Sequence, residues 1–158
     1  MPHEYVDHLS KDKKLKKLLD ISEPHVLKIE KKVYLHLCGS IMSQQLSTRV
    51  AEVIWKRFLA LYEKHPTPEE IIATPHEQLR GIGLSNAKAR YVRNVAQFAL
   101  DEGMDWKQLK TMSDMEVIEH LTRIKGVGRW TAEMILMFAL GREDVFAVDD
   151  LGIQNAMI

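Results

Sequence analysis

The run Asp144-Val-Phe-Ala-Val-Asp149-Asp150 ends in two adjacent carboxylates. An unperturbed aspartate is ionised at neutral pH. Suitably placed, it stabilises a developing cation, or orients and deprotonates a water. Two aspartates ahead of a helix serve equally well as an N-cap and a complement to the helix dipole. Two other segments share a form, Leu79-Arg-Gly81-Ile-Gly83-Leu-Ser85 and Ile124-Lys-Gly126-Val-Gly128-Arg-Trp130. Each is a Gly-hydrophobic-Gly hairpin feeding a helix start, and both glycines of each permit positive φ and close backbone approach. The helix behind such a hairpin offers free N–H groups and a positive dipole end, which binds a phosphodiester without any side-chain charge. A tight helix–helix turn stopped by glycine is the plainer use of the same residues. A third segment, Ser43-Gln44-Gln45-Leu46-Ser47, sets two amides beside an apolar side chain. Its glutamines can bond nearby backbone, and Leu46, four residues before Val50, can be core.

The elements that must position these groups read as helical nearly throughout. Leu15, Leu18 and Leu19 mark one apolar stripe under a lysine-rich face, Val33, Leu37 and Ile41 a second, and Val50, Ile54, Phe58 and Leu61 a third with Ser47 as N-cap. Thr67-Pro-Glu-Glu70 and Ser113-Asp-Met-Glu116 are capping boxes, and Thr74-Pro-His-Glu77 has the same look. Ser85 caps a helix carrying Val92, Val95, Ala96 and Ala99, and Gly141 closes the helix that begins near Arg129. Val145–Val148 is the one strand-like run. The pattern predicts an all-α, compact helical bundle in a single domain over residues 1–158.

Composition removes several classes. The 158 residues carry 22 Lys+Arg against 22 Asp+Glu, a formal charge of zero that argues weakly against a large basic surface. The single cysteine, Cys38, excludes intrachain disulfides, an all-cysteine zinc site and a four-cysteine iron–sulfur cluster. The histidines show no ligand spacing, so no metal site is expected. The longest apolar run, Met134–Leu140, is too short to span a membrane, and the polar N-terminus is not a signal peptide. The expected location is cytoplasmic, on the nucleoid, or nuclear, and not secreted.

Taken together, Gly126-Val-Gly128-Arg-Trp130-Thr-Ala132, Asp149-Asp150 and Ser43-Gln-Gln-Leu46 strongly resemble the helix-hairpin-helix DNA glycosylases, in the 3-methyladenine DNA glycosylase II branch, over roughly residues 30–158. The resemblance implies base excision from damaged double-stranded DNA, with the nucleotide flipped out of the stack. It places the catalytic role on Asp150, with Asp149 as an N-cap, an orienting neighbour or the alternative catalyst. Trp130 becomes a base-pocket wall suited to cationic, alkylated bases through cation–π attraction. Met134 is either a pocket residue or core. Gln44, Gln45, Leu46 and Ser47 approach the minor groove, with Leu46 as wedge and Gln45 reading the opposite strand. Lys125, Gly126, Val127, Gly128, Arg129 and Thr131 form the phosphate-binding hairpin, and Gly81, Gly83 and Ser85 a second one. Lyase relatives carry a nucleophilic lysine where Trp130 stands, so a monofunctional hydrolase is expected. No cofactor is implied beyond a monovalent cation that the hairpin carbonyls can hold. The family usually continues past the catalytic aspartate. The domain is therefore expected to be C-terminally incomplete, monomeric at full length and prone to self-association if truncated. A non-catalytic DNA-binding module and a glycosylase for another damaged or mismatched base are the alternatives. Backbone N–H groups, a dipole and an apolar wedge add no formal charge, so electroneutrality is compatible with a DNA partner.

Overall fold

The computed structural model describes residues 4–22 and 29–157, which contain eleven helices and no strand. The first two are α1 (Glu4–Leu9) and α2 (Lys13–Ile21), the latter capped by Asp12. The predicted stripe on α2 is not buried, since Leu15 and Leu18 are exposed and α2 packs mainly on α1. Its amphipathic pattern forms the helix without joining it to the core among the described residues.

The axis of the bundle is α3 (Val33–Ser43), which buries Val33, Leu35, Leu37, Cys38, Ile41 and Met42. Apolar residues around most of its circumference suit a helix surrounded by others. It packs against α4 (Thr48–Leu59), α7 (Asn86–Asp101) and α10 (Arg129–Phe138). On α4, Ile54 and Phe58 face the core, whereas Val50, also expected there, is exposed together with Val53.

The capping box of α5 (Pro68–Ala73) forms as read, with Thr67 and Glu70 bonded reciprocally. The similar reading at Thr74 fails. Thr74 ends α5, where its hydroxyl donates to the Glu70 carbonyl at 2.8 Å and meets the Tyr62 hydroxyl at 2.8 Å. With Thr74 engaged, α6 (His76–Gly81) starts from Pro75 with no side-chain cap. Beyond α7 come α8 (Trp106–Leu109) and α9 (Asp114–Thr122), the latter closed by the Ser113–Glu116 box. Gly141, at φ 70, follows α10 and lets Arg142 N–H reach the Leu136 carbonyl. Val145–Val148 is irregular, because a helical bundle offers it no strand to pair with, and only Ala147 is buried. The last helix is α11 (Leu151–Ala156). No helix among the described residues is long and apolar enough to cross a membrane.

Candidate active site and nucleic-acid interface

Both glycine hairpins exist, but they superpose two residues away from a glycine-for-glycine match. Ser85 and Gly128 are the N-caps, and two residues before each stands a left-handed glycine, Gly83 at φ 110 and Gly126 at φ 107. Leu84 and Val127, between glycine and cap, are both buried. Gly126 is required twice over, by its φ and because a Cβ there would run into the Tyr91 ring. Gly81 and Gly128 do not take positive φ, and a Cβ at either would meet nothing within 4 Å.

The two helix starts differ in what they leave open. Ser85 Oγ accepts from Lys88 N–H at 3.2 Å, so α7 caps itself. Gly128 has no side chain, and no side chain caps α10. Its first-turn N–H groups are left without a side-chain cap, the arrangement that suits an anion, whereas Ser85 engages one of those of α7.

Trp130, at the second helical position of α10, is partly exposed, and its indole Nε1 donates to Asp150 Oδ2 at 2.8 Å. Asp150 Oδ1 accepts from Ile153 N–H at 3.1 Å. Asp150 is therefore the N-cap of α11, and the cap role expected of Asp149 is corrected. The helix begins at Leu151, so the cap falls one residue later, and Asp149 sits exposed in the preceding turn. The indole hydrogen bond, then the Ile153 amide, hold the Asp150 carboxyl below its ordinary value. A carboxylate has about four acceptor positions, so both bonds leave each oxygen able to accept from a water.

Opposite Trp130 lies the loop between α3 and α4. Trp130, Ser40, Ser43, Gln44 and Gln45 line a cavity of about 320 Å³. Met134, expected in the pocket, does not line it and is half-buried one turn further along α10. Gln45 is the one non-glycine residue with positive φ among the described residues, at 57°. That conformation costs of order 1–3 kcal/mol and persists where the surroundings impose it. They impose it through Gln44, whose side-chain Nε2 donates to Thr131 Oγ1 at 3.4 Å, while Lys88 Nζ donates to the Gln44 and Met42 carbonyls. Lys88 and Thr131 are the third helical residues of α7 and α10, so the two hairpin helices grip one glutamine from two sides. Leu46 is 37% exposed, which removes the core reading, and it shares the outer face with Val50 and Val53. Ser47 is the N-cap of α4 by position, but its hydroxyl makes no cap bond.

Two hairpin side chains already have partners within the protein. Thr131 is 3% exposed and bonded to Gln44, which leaves its backbone N–H at the site. Arg129 Nε pairs with Glu133 Oε1 at 2.9 Å, four residues along the same helix. Glu133, 3% exposed and with Oε2 unbonded, was not singled out from the sequence, since nothing in the pattern shows a glutamate turned inward. The Trp130–Asp150 bond was also missed, and the only signal for it was an indole N–H needing an acceptor. Cys38 is wholly buried, which pushes its thiol far above the ordinary range and leaves it inert core. No three of His, Cys, Asp and Glu come together as metal ligands among the described residues.

Residues 38–158 match the family model for the HhH-GPD superfamily of base excision DNA repair proteins. The chain belongs to this superfamily. Among HhH-GPD relatives, DNA-3-methyladenine glycosylase 1 of Schizosaccharomyces pombe is 38% identical over 90% of this chain and 64% of its own length. The putative DNA-3-methyladenine glycosylase YfjP of Bacillus subtilis is 30% identical, over 96% of this chain and 55% of its own. The chain thus spans less than two thirds of the length of these relatives. The solved structure of the fission-yeast 3-methyladenine DNA glycosylase in complex with abasic DNA superposes with a TM-score of 0.89 at 35% identity, covering 98% of this chain and 79% of that one. The all-helical bundle expected from the sequence is the HhH-GPD fold.

Proposed function

We propose that this chain is the core of a monofunctional DNA N-glycosylase that excises alkylated purines of the 3-methyladenine and 7-methylguanine type in base excision repair. The Trp130–Asp150 hydrogen bond carries the reading, because it ties an ionised carboxylate to the indole that walls the cavity. The names of the relatives, DNA-3-methyladenine glycosylases in fission yeast and Bacillus subtilis, support the substrate class.

In this reading the backbone N–H groups from Arg129 to Thr131 take a phosphate of the lesion strand. Leu46 fills the gap left by the flipped nucleotide, and Gln45 faces the opposite strand. The base enters against Trp130, where a cationic ring gains cation–π attraction. Departure of the base takes the C1′–N electron pair with it and cancels its positive charge. Asp150 stabilises the cationic sugar, water adds to C1′, and the water's proton leaves to the carboxylate or to solvent. Trp130 cannot serve as an amine nucleophile, so no Schiff base forms and the strand stays intact. The substrate would be chromosomal DNA, in a nucleoid or a nucleus.

The test is release of free 3-methyladenine or 7-methylguanine from alkylated duplex by the folded protein. Release without strand breaks is expected. No release from a chain extended to the length of its relatives would overturn the assignment, and strand cleavage at the abasic site without added nuclease would overturn its monofunctional part.

A further inference from the structure

Beside the second hairpin, His76, Arg90, Tyr91, Arg93, Asn94 and Lys125 line an open groove of about 320 Å³. Three permanent cations and an imidazole converge there, and no carboxylate lines it. In a chain of zero net charge that is a local concentration of one sign. Arg123, Arg129 and Arg142 are each paired with a carboxylate. Among the described residues no ion pair engages Arg90, Arg93 or Lys125. The floor is fixed. Asn94 Nδ2 donates to the Lys125 carbonyl at 3.1 Å, Arg93 donates to the Thr74 carbonyl at 2.8 Å, and the Tyr91 ring lies under Gly126. Like charges held close on a rigid floor repel one another unless a polyanion lies between them. The groove also adjoins the hairpin, since Lys125 belongs to both.

We propose that this groove carries the phosphodiester backbone of the bound duplex onward from the hairpin, adding phosphate contacts remote from the flipped base. The proposal rests on the DNA-binding reading above. It predicts an ion-release signature that the backbone N–H groups of the hairpin alone lack. Each phosphate neutralised by a lysine or arginine contributes a slope of about −0.9 to log affinity against log salt.

The measurement is fluorescence anisotropy with a duplex containing an abasic-site analogue, between about 50 and 200 mM salt. Arg90 is exposed, so Arg90→Ala should fold normally, as circular dichroism checks. Its slope is expected to be shallower by about 0.9, which shrinks the affinity lost across that range by about 3.5-fold. Adding Lys125→Ala doubles the change in slope, and Arg90→Lys restores it. Lys64→Ala, which removes a charge outside the groove, keeps the wild-type slope. If the wild type binds duplex and the Arg90→Ala and double-variant slopes are unchanged, the groove is overturned while DNA binding stands. An equal change in Lys64→Ala reduces the effect to net charge and overturns the groove too. Strong competition by inorganic phosphate at matched ionic strength would reassign the groove to a small phosphate ligand. A wild type that binds no duplex overturns both readings.

Discussion

Ser85 and Gly128 stand at the same place in two hairpins of one shape. Each follows a left-handed glycine by two residues and opens a core helix. The serine hydroxyl closes the start of α7, and Lys88, three residues on, turns to the Gln44 carbonyl. Gly128 leaves the start of α10 bare, and Trp130, in the place of Ala87, reaches Asp150. One hairpin is a support and the other, in the proposed reading, a site. What separates them is the side chain at the cap and two residues beyond it, with the backbone turn unchanged.

The largest expected effect tests whether the chemistry belongs to the open hairpin. Asparagine caps a helix as well as aspartate, so Asp150→Asn should still fold, giving up only the stability that the depressed carboxyl adds. It should lose about 10²–10³-fold in single-turnover base release, in line with removing one electrostatic stabiliser. Unchanged release would make Asp150 a cap and nothing more. Next, Gly126→Ala meets both the Tyr91 ring and a forbidden φ, and should cost at least about 2 kcal/mol in denaturant titration. Gly128→Ala meets neither, so its stability should stay within about 1 kcal/mol. Its Cβ would stand where a phosphate approaches, and duplex affinity should fall about tenfold or more. Ser85→Ala should lose about 1 kcal/mol of stability and no affinity. Equal losses of affinity at positions 85 and 128 would erase the distinction between the hairpins.

The smallest effect is a displacement along the pH axis. A folded carboxyl held below its ordinary value adds stability above the ordinary range, and that stability is lost as pH falls through the folded value. Trp130→Phe removes the main cause of the depression at Asp150. The acid limb of both melting temperature and release rate should therefore move to higher pH. A limb that stays in place would show that the indole bond does not set the carboxyl's affinity for protons.

What could be read in the sequence was local or carried by motif. The capping boxes at Thr67 and Ser113 close within one turn, so their residue types suffice. The Thr74 box looked the same but failed, because Tyr62, twelve residues earlier in the chain, takes part in a bond to its hydroxyl. The hairpins were legible as a repeat, whereas their alignment depended on which glycine has positive φ. The motif points to Asp150, yet the cap expected at Asp149 falls on Asp150, a matter of one residue in where α11 begins. The indole that holds it lies twenty residues away, and the inward turn of Glu133 is set by packing. Neither leaves a periodic trace.

The double hold on Gln44 has a thermodynamic consequence. A loop that must find one conformation on binding spends ordering entropy at that moment, and affinity falls accordingly. Here Lys88 holds the backbone carbonyl and Thr131 the side chain of Gln44, next to Gln45, while the chain folds. The loss of freedom is then a debit against the stability of the empty protein. Under the proposed function, the wedge would reach the duplex already shaped, and encounter with a lesion would be free of the wait for a loop to order.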